Sequence, residues 1–86
     1  METRQELVCD AIKLEVSCTY PDCSGFIGYN FVVSPDENIE ELKIYIKKTI
    51  EDRGGKFQGM SHHIVEDFFV KNLRSRDYIF MLINDL

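Results

Sequence analysis

The residues that could do chemistry are few: three cysteines, two adjacent histidines and a scatter of acids. The most suggestive stretch is Cys18-Thr-Tyr-Pro-Asp-Cys23. Zinc takes thiolates and imidazoles in a tetrahedron, with loop cysteines spaced C-x2-4-C. Cys18 and Cys23 sit at the outer limit of that spacing, and His62 and His63 would complete four ligands. Zinc motifs separate their histidines by three to five residues, so that both face one ion. Adjacent histidines on a helix point about 100° apart. A redox pair would take the form C-x-x-C. A disulfide needs an oxidising compartment, and three cysteines leave one over. The favoured reading is a tight turn, with Cys18 as a small core residue and Cys23 near the surface.

The same residue types could serve catalysis. Cys9, Cys18 or Cys23 as nucleophile, with His62 or His63 as base and Glu66 or Asp67 to orient it, would make a Cys/His/acid set. Nothing in the local sequence brings them together, so no catalytic residue, metal or cofactor is expected. Gly25 to Gly28 and Gly54-Gly55-Lys56 lack the full phosphate-binding patterns. Lys71, Arg74 and Arg76 form the basic cluster, which reads as the solvated C-terminal end of a helix. Ten basic against fifteen acidic side chains give a net charge of −5, which argues against nucleic acid as the partner. The acids are interleaved with lysines, so the chain does not resemble a dense phosphate mimic either.

These residues must be positioned by one small domain, residues 1–86. Its hydrophobic fraction of 44% is that of a globular chain rather than a disordered one. No run is long and apolar enough for a membrane span. The start, METRQELVCD, lacks a signal-peptide pattern. The expected location is cytoplasmic.

Thr3 to Glu6 has the capping-box form, so a short first helix over Leu7, Val8, Ala11 and Ile12 competes with a strand reaching back to Leu7. From Ile12 to Tyr20 the period is two, and Ile27 to Val33 alternates likewise. Pro21, Asp22, Ser24 and Gly25 turn the chain between them into a hairpin. Ser34-Pro35-Asp36-Glu37 reads as a helix start. Ile39, Leu42, Ile46 and Ile50 form the buried stripe, and Gly54-Gly55 is the stop. Lys56 to Met60 is either a brief strand or a loop. Ser61 caps a second helix over residues 62–74 in the preferred reading, and a strand is the competitor. Tyr78 to Ile83 reads as an interior strand. The expected fold is α+β, in the order ββα(β)αβ, with a three- or four-stranded mainly antiparallel sheet packed on helices.

Ile44 falls opposite the buried stripe, between Lys43 and Tyr45. Beside Phe26, Val32 or the second face of the last strand it would form an apolar patch. The acids Asp36, Glu37, Glu40 and Glu41 suit the helix dipole and would also meet a basic partner surface. The expected function is therefore a non-catalytic protein-interaction module. It would be a small inhibitor or adaptor that blocks a protein target through a sheet edge or the outer face of the Ser34–Arg53 helix. Asp36, Glu37, Glu40, Glu41, Ile44 and Tyr45 would be the partner-binding residues, with a homodimer also open. Virus- or phage-encoded inhibitors of host or defence machinery are one class of this size. The alternatives are a small metal-binding or Cys/His-dependent enzyme and a nucleic-acid accessory protein.

Overall fold

The computed structural model of the chain describes residues 7–84. Strand β1 (Val8–Thr19) is followed by β2 (Ile27–Val33), helix α1 (Ile39–Asp52), β3 (Lys56–Phe69), a 3-10 turn (Val70–Asn72) and helix α2 (Arg76–Asn84). The sheet has three strands in the order β2-β1-β3. Both pairings are antiparallel. The fold is α+β, as expected, but the order is ββαβα.

Period-two alternation builds the sheet's inner face. Leu14, Val16 and Cys18 of β1 are buried, as are Tyr29, Phe31 and Val33 of β2. The intervening Glu15, Ser17, Gly28 and Asn30 are exposed. Leu42, Ile46 and Ile50 of α1 and Ile79 and Ile83 of α2 complete one core on that face. Their i, i+4 spacings give each helix a single buried stripe. No helix among the described residues is long and apolar enough to cross a membrane.

Several expectations are corrected. Of the two readings at the start, residues 8–12 take the strand; Thr3 to Glu6 lie outside the described residues. Ser34 does not cap α1. Its Oγ accepts the Asp36 N–H at 3.1 Å and its carbonyl accepts the Glu37 N–H, so Ser34–Glu37 is a turn. Proline at the second turn position suits that role as well as it suits a first helical residue. The cap is Asn38, whose Oδ1 accepts the Glu41 N–H at 3.2 Å. At the other end the Gly54 N–H reaches Glu51 O and the Gly55 N–H reaches Ile50 O, both at 2.9 Å. This is a Schellman stop, with Gly54 at φ 82°.

The brief strand or loop at Lys56 and the helix over 62–74 are replaced by one strand, β3. Two irregularities interrupt its register with β1. Gln58 is extra between the Ser17–Gly59 and Cys18–Phe57 pairs. Glu66 and Asp67 together face Asp10, and Asp67 has φ 55°. The last strand is also overturned: Tyr78 to Ile83 lie in α2. Ser75 opens that helix, its Oγ accepting the Tyr78 N–H at 3.3 Å and its carbonyl the Ile79 N–H at 3.1 Å.

Candidate functional site

α1 turns its buried stripe to the sheet, and 100° per residue then sends Ile44 to the far side of the helix. Ile44 is 68% exposed. Tyr45, one residue on, leans toward α2 and is half-buried. Its ring meets Phe80 at 5.9 Å between centroids, tilted 37°. On α2 the stripe of Ile79 and Ile83 faces the core, so Phe80, Met81 and Leu82 are left exposed. Tyr45 and Phe80 thus join the outer surfaces of two neighbouring helices, with exposed Ile44 next to the first and exposed Met81 next to the second.

Charges of both signs flank this surface, with Lys43, Lys47 and Lys48 of α1 exposed. Asp36, Glu40 and Glu41 are exposed, as is Asp77 at the start of α2. Glu37 is half-buried, and its Oε1 accepts a charge-assisted hydrogen bond from Arg76 Nε at 3.1 Å. That pair ties the turn before α1 to the first turn of α2. The structure thus gathers the six sequence-nominated residues along the turn and outer face of α1. It adds Phe80 and Met81, which the sequence reading had placed in an interior strand. Phe26 and Val32 do not join Ile44. Phe26 sits at the hairpin turn, and Val32 pairs with Lys13 and so points to the sheet's helix-free face.

The turn at Cys18–Cys23 is a different kind of place. The Cys23 N–H closes it on Tyr20 O at 3.1 Å. Cys18 is buried and Cys23 exposed, both as free thiols. Burial pushes the Cys18 thiol pKa up, and a Tyr20 hydrogen bond partly offsets this, so the thiol is a poor nucleophile. The Tyr20 and Tyr29 hydroxyls meet at 3.3 Å. Burial first, then that hydrogen bond, raises the Tyr29 pKa well above the ordinary tyrosine value. Tyr20 lies over Gly55, where a Cβ would come within 2.6 Å of its ring. A shallow cleft of about 390 Å³ opens here, lined by Tyr20, Pro21, Asp22, Cys23, Ile27 and Arg53.

The other nominated groups are dispersed. His62 and His63 are neighbours on a strand, so they point to opposite faces. His62 pairs with Leu14 while Cys18 pairs with Phe57, which sets His62 roughly 13 Å along the sheet from Cys18. Among the described residues no group of three or more His, Cys, Asp or Glu is disposed to hold a metal. Lys71, Arg74 and Arg76 do not end a helix; they run from the 3-10 turn into the start of α2. Lys71 lies over the Phe69 ring and Arg74 over Tyr78, while Arg76 is engaged by Glu37. Comparison with protein-family models, curated proteins and solved structures finds no match to this chain.

Proposed function

We propose that this chain is a non-catalytic protein-interaction module that binds a protein target across the outer surface of α1 and α2. The observation that carries the reading is the Tyr45–Phe80 contact between α1 and α2, with the exposed Ile44 one residue before Tyr45. It joins the outer surfaces of two helices, where isolated exposed side chains would mean nothing. Interfaces combine an apolar, aromatic-rich centre with a charged rim, and here Glu40, Glu41 and Asp77 on one side and Lys43, Lys47 and Lys48 on the other supply a rim of both signs. Such a rim favours a target that carries the complementary charges in the reverse order around an apolar groove, and it orients encounter. Binding there would occlude the target sterically, as a small inhibitor or adaptor does. The cytosol is its place of action, that of the host where the chain is encoded by a virus or phage.

The test is capture from a lysate of the source or host cell, with mass spectrometry and a metal assay on one eluate. Wild-type protein retains a stoichiometric target. Ile44→Asp keeps its far-UV circular dichroism but loses the target by about tenfold or more, the effect of removing one central contact. Stoichiometric zinc with no protein, or capture indifferent to Ile44→Asp, would overturn the reading.

A further inference from the structure

On the far side of the sheet from β2, β3 presents an edge. Among the described residues no strand pairs with its outer side. Free edges are normally blunted by lysine, proline or a bulge within the strand. Here the two irregularities lie at Gln58 and at Glu66–Asp67. They bracket a regular stretch, Gly59-Met-Ser-His-His-Ile-Val65, and leave it unbroken. That stretch holds no Lys, Arg, Asp, Glu or Pro.

The stretch is also centred on His62, which makes it complementary to itself. An antiparallel copy placed about a two-fold axis through His62 would set Met60 beside Ile64 of the other copy. It would set Ser61 beside His63, and Gly59 beside Val65. Each pair has its two members on the same face of the sheet, because partners differ by an even number of residues. Met60, His62 and Ile64 share the helix-bearing face, opposite Val16, Leu14 and Ile12. Ile64 is 68% exposed there because the helices of its own copy do not cover it. Beyond the bracket the charges are opposite in sign: Lys56 at one end, Glu66 and Asp67 at the other. Antiparallel pairing brings each toward the other, where like charges would repel.

We infer that the β3 edge is a homodimer interface, in which two copies join Gly59–Val65 antiparallel into one six-stranded sheet. Its order is β2-β1-β3-β3-β1-β2, with both helix layers on the same face. Ile64 of each copy is then covered by Met60 of the other, and the outer surface of the helices stays free for a target. The β2 edge is a poorer candidate. It is seven residues long, and the Arg74 N–H already docks on Val32 O at 2.8 Å.

Sedimentation equilibrium tests this on wild type, Ile64→Lys and Ile44→Asp, with circular dichroism on each. Wild type and Ile44→Asp are expected at twice 10.1 kDa and Ile64→Lys at 10.1 kDa. Should Ile64→Lys lose its fold, His62→Glu gives the same reading, because it sets two carboxylates together at the axis. A wild type that stays at 10.1 kDa at its highest soluble concentration overturns the inference. So does a folded Ile64→Lys or His62→Glu that stays dimeric, whatever Ile44→Asp does.

Discussion

The two edge strands of the sheet are held in different ways. β2 has seven residues and buries three of them, Tyr29, Phe31 and Val33. β3 has fourteen, and each is half-buried or exposed. β2 lies under the helices and is fixed by side chains. β3 is fixed mainly by its backbone ladder to β1, with only Phe57 and Met60 packed against the core. At the far end the ladder continues past β2, since Val8 and Cys9 pair with Phe69 and Phe68 while β2 ends opposite Ile12. The radius of gyration, 14.8 Å, exceeds the ~12 Å of a compact chain this long. One edge therefore carries the core, and the other extends outward with most of its side chains outside that core.

The severest test of this division is a charge placed under β2. Ile46 is fully buried. Ile46→Asp forces an unpaired carboxylate into the core, and a domain this small has only about 3–5 kcal/mol to lose. It should unfold by far-UV circular dichroism; a folded, soluble protein would show that α1 is packed otherwise. A graded version compares truncations on the two edges. Phe31→Ala should cost about 3–5 kcal/mol, enough to leave little folded protein even without urea. Ile64→Ala, measured dilute enough to keep the chain monomeric, should change stability by no more than about 0.5 kcal/mol. Equal losses would break the contrast.

The same division explains what could be read from the sequence. From Ile12 on, β1 alternates cleanly, as does β2, and α1 keeps a helical stripe, because each has one buried face that fixes the period. The start of α1 differs because Ser34-Pro35 suits a turn as well as a cap, and the start of β1 is ambiguous because Leu7, Val8, Ala11 and Ile12 also fit a helical spacing. β3 has no fully buried face to impose a period. Its bulge at Glu66–Asp67 also puts Val65 and Phe68, three residues apart, on one face opposite Ala11 and Cys9. Three is a helical spacing, so the bulge made a strand look helical. α2 failed in the opposite sense. Six apolar residues in a row read as an interior strand, and periodicity alone cannot separate that from a buried helix segment. The missed signal was Ser75 ahead of Asp77, a helix start in sequence form. Read as a strand, the segment offers Ile44 only an unspecified second face; as a helix it exposes Phe80 and Met81 in particular.

A smaller effect lies at the tyrosine pair beneath β2. Tyr29→Phe keeps the ring packing and loses the bond to Tyr20, a change of about 0.5–1.5 kcal/mol. It should also alter the alkaline limb of stability. The folded Tyr29 pKa is raised, so the neutral form is favoured by folding. The contribution is fully present below the unfolded value of about 10 and is lost as pH rises above it. Urea midpoints should fall above that pH in wild type and fall less in Tyr29→Phe. Identical slopes would mean that Tyr29 is not held neutral by the fold.

The least effect is expected at the residue that first suggests chemistry. Cys23 holds the hairpin turn through its backbone N–H on Tyr20 O, and its side chain is exposed. Serine keeps that backbone bond and fills nearly the same space. Cys23→Ser should therefore stay within about 0.5 kcal/mol of wild type. Cys18→Ser, five residues back and fully buried, should cost about 1–3 kcal/mol, because a hydroxyl replaces a thiol among apolar neighbours. A loss at Cys23 of about 2 kcal/mol or more would mean that its sulfur is bonded, to Cys18 or to a metal. Repeating the titration with a reductant and then with a chelator would separate the two, since a disulfide responds only to the first and a metal site to the second.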